Sequence, residues 1–374
     1  MTPRRPTTSP PPEPPPDVFQ LKPPIEPMLA KAAEALPTTQ GFLFEPKWDG
    51  FRSIVFRSGA HLYMQSRDLR PLDRYFPDLH ERLLERLPDP CVLDGEIVIT
   101  TAAGLSFDLL QLRLHPAASR VAKLAQENPA SFVAFDALWL DGRDLRGAPQ
   151  HERRTVLERA LSGVQRPVHL TPVTRDRALA VEWLERFEGA GLDGVIAKLE
   201  NGSYEPGKRS MFKIKHARTA ECVVAGFRWH KNGKNELVGS LLLGLFDDQG
   251  KLQHVGVTSS FTMQARKELA AELEPLRKAA LDEHPWREWA NAGEADGRMP
   301  GGQSRWSAGK DLSWEPLRIE RVCEVKYDHL QGDRFRHAAT FLRWRPDKPP
   351  SACRYDQLEV TKPFELDKVF GAQG

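Results

Sequence analysis

The sequence predicts an α+β protein of two domains, and three observations carry that reading. Its 374 residues exceed one typical domain of about 100 to 200 residues. Between Ile25 and His216, short β-rich runs alternate with segments that repeat apolar residues at helical spacing, as in antiparallel sheets with flanking helices. Beyond that point, short strands divided by glycine-bearing turns and one long helical run predict a small closed β-barrel of the OB type over residues 217–374.

Residues 1–24, opening MTPRRPTTSPPPEPPP, are too rich in proline to build a core and are expected to form a disordered or polyproline-like tail. In the first domain, residues 25–216, the expected strands are GFLFEPKW, FRSIVFR, AHLYMQSR, CVLDGEIVI, FVAFDALWL, GVIAKL and MFKIKH. YFPDLHERLLERL, HERRTVLERALSGV and RALAVEWLERFEGAG read as helices. In the second domain AECVVAGFRW, GSLLLGLFD and LQHVGVTSS are strands, TMQARKELAAELEPLRKAAL is a helix, and further strands follow.

Composition narrows the class. A hydrophobic fraction of 40% and a charged fraction of 28% fit a globular protein. No apolar run approaches the ~18 residues of a membrane span and the opening residues lack an apolar signal core, so a cytoplasmic protein with no membrane partner is expected. Cys91, Cys222, Cys323 and Cys353 are far apart in sequence and read as reduced core thiols rather than zinc ligands. Net charge is only +2, but Arg298 to Lys348 holds eleven Lys/Arg against seven Asp/Glu, with Trp306, Trp314, Tyr327, Phe335, Phe341 and Trp344 interleaved. That mixture suits a phosphate backbone with base stacking, and suits an ordinary charged β surface as well.

The chemistry centres on FEPKWDGFR, residues 44–52, which sets Lys47 in an apolar, aromatic run just before Asp49 and Gly50. A hairpin turn at Ser58-Gly59 would place Arg52 across from Gln65 and bring Arg67 to the Lys47 loop. Asp94 and Glu96 share one face of CVLDGEIVI, a costly arrangement among apolar neighbours unless a cation or donors meet it. GLDGVIAK repeats the theme with Asp193 before a glycine and Lys198 closing the strand, and MFKIKH turns Lys213 and Lys215 to one face. Each feature alone also has a structural reading: solvated arginines, a strand end at Asp94, lysines guarding a sheet edge, Phe135 in the core.

Jointly they match nucleotidyl transfer to a lysine. Such a lysine must lose a proton it ordinarily holds to about pH 10.4, and nearby cations and desolvation promote that loss. Lys213 and Lys215 would also neutralise an α-phosphate under attack, Glu96 and Asp193 could hold or orient a divalent metal, and Phe135 could stack on a purine. No G-x-x-x-x-G-K-[ST], H-E-x-x-H or G-x-S-x-G occurs, which disfavours a P-loop ATPase, a zinc protease and an α/β hydrolase.

The ordered series EPKWDG, SRD, LDGEI, AFDAL, DGVIAK and FKIK resembles the covalent nucleotidyltransferases: DNA ligases, RNA ligases and mRNA capping enzymes. SRWSAGKDLSWEPLRIERVCEVKYD and FRHAATFLRWRPDKPPSACRYDQL are similar to the bacterial ATP-dependent DNA ligases, nearest the stand-alone ligase C group, over about residues 22–362. The resemblance implies a lysyl-AMP on Lys47 formed from ATP with Mg²⁺ or Mn²⁺, and sealing of nicked duplex DNA in repair. Nucleotide contacts would come from Glu45, Arg52, Arg67, Glu96, Phe135, Lys198, Lys213 and Lys215, with Arg67 later holding the nick's 5′-phosphate. Asp193 stands where many relatives have glutamate, which would move its metal contact outward through a water. Arg343, Arg345, Asp347 and Lys348 match the barrel motif that orients pyrophosphate. A nucleoid-associated monomer is implied, with repair polymerases, primase-type or DNA-end-binding proteins as companions. An RNA ligase, a GTP-using capping enzyme and a non-catalytic nucleic-acid-binding barrel stay open as alternatives.

Overall fold

The computed structural model describes residues 18–215, 218–287, 313–328, 330–358 and 363–371. The chain divides into two compact units, residues 1–216 with 361–374, and residues 217–360.

The first unit is built on two sheets. One has the order β1 (Ala30–Ala32), β11 (Met211–Ile214), β10 (Val195–Leu199), β2 (Phe42–Pro46). The other runs β4 (His61–Ser66), β3 (Phe51–Ser58), β5 (Cys91–Thr101), β7 (Ala130–Leu140), β8 (Arg143–Asp144), with β6 (Gly104–Leu105) beside β5 and β9 (Val168–Leu170) beside β7. Pairing is antiparallel except at β1–β11 and β7–β9. The helices are α1 (Pro77–Arg86), α2 (Phe107–Arg113), α3 (Ala118–Glu127), α4 (Gln150–Ala160) and α5 (Arg177–Arg186). In α1, Pro77 fills the first turn, where its missing N–H costs nothing, and Leu79 and Leu83 are buried one turn apart.

Residues 47–50 carry the chain from the first sheet to the second. Two backbone hydrogen bonds hold this crossover, Lys47 N to Gly194 O at 2.8 Å and Asp193 N to Lys47 O at 2.9 Å. Gly50 is dictated by a close approach, since a Cβ there would lie 2.2 Å from the Ile97 carbonyl oxygen.

The second unit is an OB barrel with strand order β14 (Leu252–Thr258), β13 (Gly233–Phe246), β12 (Arg218–His230), β16 (Val322–Tyr327), β19 (Thr340–Trp344). A parallel bridge between Thr258 and Ala339 joins its two ends, and shifts of register along β12–β13 bend those long strands around the core. Short β15 (Glu315–Pro316) pairs with β12, and β17 (Leu330–Gln331) with β18 (Arg334–Phe335). Helix α6 (Met263–Arg277) is capped by Thr262, whose hydroxyl accepts from Ala265 N at 3.2 Å, and buries Leu269, Leu273 and Leu276.

Four expectations need correction. The order of the chain begins before Ile25: Phe19 and Leu21 are buried, and the Phe19 ring lies 5.8 Å from that of Phe56. The hairpin turns one residue later, with Ser58 opposite His61 and Ile54 opposite Gln65, because Gly59 with φ +58 leads the turn rather than closing it. Pairing shifts by two, so every side chain keeps its face, and Arg67, just past the end of β4, lines the same cavity as Lys47. The barrel does not extend to the last residues: α7 (Leu366–Phe370) belongs to the first unit, where Val369 is fully buried. Tyr327 and Phe335, read either as stacking aromatics or as part of a charged β surface, are buried in the barrel core with rings 4.6 Å apart, and Trp306 lies outside the described residues. All four cysteines are buried free thiols, and among the described residues no helix is long and apolar enough to cross a membrane.

Candidate active site

Gly194 precedes β10 with φ +133, and a Cβ there would lie 2.1 Å from the Ile214 carbonyl oxygen. Only glycine lets this turn close on the end of β11, and the closure seats Asp193 between two lysines. Asp193 Oδ2 receives Lys47 Nζ, and Lys215 Nζ at 3.0 Å. Burial opposes ionisation of Asp193 most strongly, yet Lys47 and Lys215 together hold its carboxyl below the ordinary range. Lys213, on β11, is held below the ordinary lysine range by burial first, then by Lys47, Lys215 and Arg67. The crowding of these cations is what an anionic ligand would relieve.

On the facing sheet, Arg52 of β3 sits across from Glu96 of β5. Its guanidinium grips the fully buried Asp94 with two bonds, Nε to Oδ1 at 2.9 Å and Nη2 to Oδ2 at 2.6 Å. Tyr204 Oη donates to the same Oδ2 at 2.6 Å while accepting from Met28 N at 3.0 Å. The Arg52 charge lies 5.1 Å from the centre of the half-buried Phe135 ring, and Lys198 Nζ lies 4.9 Å from it. Burial pushes the Glu96 carboxyl up to about 8, against the pull of Lys47 and Arg52. Glu45 and Lys198 form a buried ion pair at 2.8 Å, but Glu45 Oε1 has no hydrogen-bond partner among the described residues.

These groups surround one cavity of about 870 Å³, lined by Glu45, Lys47, Arg52, Arg67, Glu96, Phe135, Lys198 and Lys213. Its size suits a nucleotide. Asp193 adjoins it through its ion pair with Lys47, and Lys215 through its pair with Asp193. The remaining predicted residues lie in the barrel: Arg345 holds Asp347 with bonds of 2.9 and 2.7 Å and pairs with Glu221, Lys348 pairs with Glu221 at 2.9 Å, and Arg343 donates to Glu324 at 2.7 Å. The Arg345 hydrogen bonds draw the Asp347 carboxyl down to about 2.

Among the described residues no group of three His, Cys, Asp or Glu is placed to enclose a metal ion. Glu96 lines the cavity, and Asp193 is already engaged by two lysines. One carboxylate, or two, is the donor set that suits Mg²⁺, which keeps several waters and takes its other oxygens from substrate phosphates. The site therefore fits such an ion.

Asp94 and Tyr204 were not among the expected site residues. Asp94 was legible as Glu96's same-face neighbour, whereas Tyr204 lies in the turn-rich NGSYEPG and carried no periodic signal. Arg70 and Arg74 also line the cavity, just beyond the SRD run.

An α+β unit that gathers a lysine, further cations and an aromatic ring around a nucleotide-sized cavity, followed by an OB barrel, defines a nucleotidyltransferase. A family model for the ATP dependent DNA ligase domain matches residues 27–215, and one for the ATP dependent DNA ligase C terminal region matches residues 234–348. The chain belongs to the ATP-dependent DNA ligase family. It is 55% identical to DNA ligase C2 of Mycolicibacterium smegmatis over 90% of this chain and 95% of that protein. It is 53% identical to DNA ligase C of Mycobacterium tuberculosis over 93% of this chain and 98% of that one. A solved Lig E DNA ligase, 16% identical with a TM-score of 0.53 over 85% of this chain and 99% of its own, shares the fold.

Proposed function

We propose that this ligase seals 3′-hydroxyl/5′-phosphate nicks in duplex DNA by way of a lysyl-AMP on Lys47, acting in repair. The observation that carries the reading is the seat of Lys47: on a crossover between sheets, lining a cavity with Lys213 and Arg67 and sharing Asp193 with Lys215. In the first step Lys47 Nζ leaves Asp193, gives up a proton to solvent and attacks the α-phosphorus, forming a P–N bond as the P–O bond to pyrophosphate breaks. Lys213 and Lys215 stabilise the charge on the α-phosphate oxygens as that bond exchange proceeds. AMP then passes to the 5′-phosphate of the nick, held by Arg67, and the 3′-hydroxyl displaces AMP to form the phosphodiester. A divalent metal ion, held by Glu96 and reached from Asp193 through water, would draw charge from the phosphates and ease departure of pyrophosphate.

The choice of base follows from Glu45. Glu45 lines the cavity with Phe135 and Lys198, its Oε1 is buried without a partner among the described residues, and a buried carboxylate oxygen demands a donor. The exocyclic amine of adenine supplies one, whereas guanine presents a carbonyl oxygen there and would be repelled. Phe135 offers its ring to the base, Arg52 steadies the ribose and α-phosphate, and Lys198 holds Glu45 in place through their buried ion pair. Arg343, Arg345, Asp347 and Lys348 act on pyrophosphate from the barrel during the first step. The partner is nicked duplex DNA, gripped through phosphates and therefore weakened by salt.

The test is to incubate nucleotide-free protein with Mg²⁺ and α-labelled ATP, then add nicked duplex. Label should appear on the wild type from ATP and not GTP, and be chased into sealed DNA. Lys47→Ala should take no label while still binding the nick; a labelled mutant would move the nucleophile elsewhere.

A further inference from the structure

The segment 363–371 follows the barrel in sequence yet packs on the first unit, at the back of the crossover that carries Lys47. The Phe370 ring lies parallel to the Trp48 indole, centroids 5.1 Å apart, and parallel to the His169 ring at 4.0 Å. Trp48 is buried and its Nε1 donates to Thr171 Oγ1 at 2.8 Å, so the indole next to Lys47 in sequence is pinned at its edge by Thr171 and across its face by Phe370. Burial keeps the His169 imidazole neutral at physiological pH, with its titration drawn down to about 4.

Further contacts hold the segment in place. Phe364 N donates to Gly189 O at 3.1 Å, its ring lies 5.4 Å from that of Phe187 with the Arg186 charge 5.0 Å away, and Val369 is fully buried. An Arg166–Asp367 ion pair is exposed and contributes little.

We propose that the segment 363–371, through Phe370, is a positioning element for the lysine loop: it clamps Trp48 so that Lys47 is presented to the nucleotide. The inference rests on Lys47 being the nucleophile. Lys47 and Trp48 share a backbone with no flexible residue between them, so play at the indole becomes displacement at Nζ. A displacement near 1 Å at a reacting atom can cost up to about a hundredfold in rate, and partial loosening about tenfold.

The experiment pairs hydrogen exchange with single-turnover kinetics on full-length, AMP-free protein. Phe370→Ala should raise amide exchange in the peptide spanning Lys47 to Gly50, slow lysine adenylation about tenfold, and leave sealing of a pre-adenylated nick within about twofold. Phe370→Tyr, which keeps the ring, should restore both readouts. Unchanged exchange at the loop, or equal losses in both chemical steps, would overturn the inference. Label retained by Lys47→Ala would instead overturn the choice of nucleophile, and the exchange at the loop would still decide whether Phe370 clamps it.

Discussion

Tyr204→Phe isolates one hydroxyl that holds the site from behind. The hydroxyl donates to a carboxylate, Asp94, and accepts the buried amide of Met28. A hydrogen bond to a charged partner contributes about 1.5–3 kcal/mol, and a buried amide left without an acceptor costs about 1–3 kcal/mol. Because the ring is retained, no large cavity is made, and the protein should lose about 2.5–6 kcal/mol in urea unfolding. The functional effect is distinct from this. Asp94 keeps both bonds to Arg52 but loses the donor that fixes its Oδ2, so Arg52 is less firmly aimed. If about 1 kcal/mol of that restraint was realised on the nucleotide, KM for ATP in adenylation rises about fivefold. Adenylation kinetics over a range of ATP concentrations measure it, with Tyr204→Phe, Arg52→Lys and the double variant compared. The two substitutions should be non-additive, since one acts through the other. A full loss of stability with KM unchanged would leave Tyr204 as a structural prop alone.

Glu96 makes the site pH-dependent. Its folded carboxyl titrates at about 8, above the ordinary 4.5, so the unfolded chain releases this proton first and stability falls as pH rises from 4.5 to 8. Urea midpoints of metal-free protein should show that slope, and Glu96→Gln should flatten it. Cation binding needs the ionised form, so the Mg²⁺ requirement of adenylation should ease as pH approaches 8 in wild type and not in Glu96→Gln. Arg345→Ala breaks the bidentate grip on Asp347 and the pair with Glu221, and should slow adenylation more than the sealing of a pre-adenylated nick. Equal losses in the two steps would remove the barrel motif from pyrophosphate chemistry.

The sequence showed the parts of this molecule that repeat with a period. Alternation in MFKIKH and CVLDGEIVI put Lys213 and Lys215 on one face and Asp94 and Glu96 on another, and helical spacing revealed α1, α4 and α5. Helices α2 and α3 were not among the expected elements; α2 has only seven residues and buries Leu110 and Arg113, and α3 buries Val121 and the small Ala125. Tyr204 reaches Asp94 across 110 residues, and Phe370 reaches Trp48 from beyond the barrel. Contacts of that range leave no local pattern. The aromatic run in the barrel misled for the opposite reason: Tyr327 and Phe335 obey strand alternation, and the face they occupy is the interior.

The crossover from Lys47 to Gly50 shows why a motif so short can define so much. Lys47 must reach the cavity, Trp48 must keep its hydrogen bond to Thr171, and Gly50 must pass within contact of the Ile97 carbonyl. Alternating direction in an extended segment satisfies the first two demands only if neither side chain has room to turn. Trp48 is held at its edge by a hydrogen bond, and Gly50 cannot be moved outward without separating β3 from β5, which carry Arg52 and Glu96. The rigidity that aims the lysine is therefore the same rigidity that registers the facing sheet. A side chain added at Gly50 would disturb Lys47, Arg52 and Glu96 together, and no single compensating substitution at any one of them could restore the site.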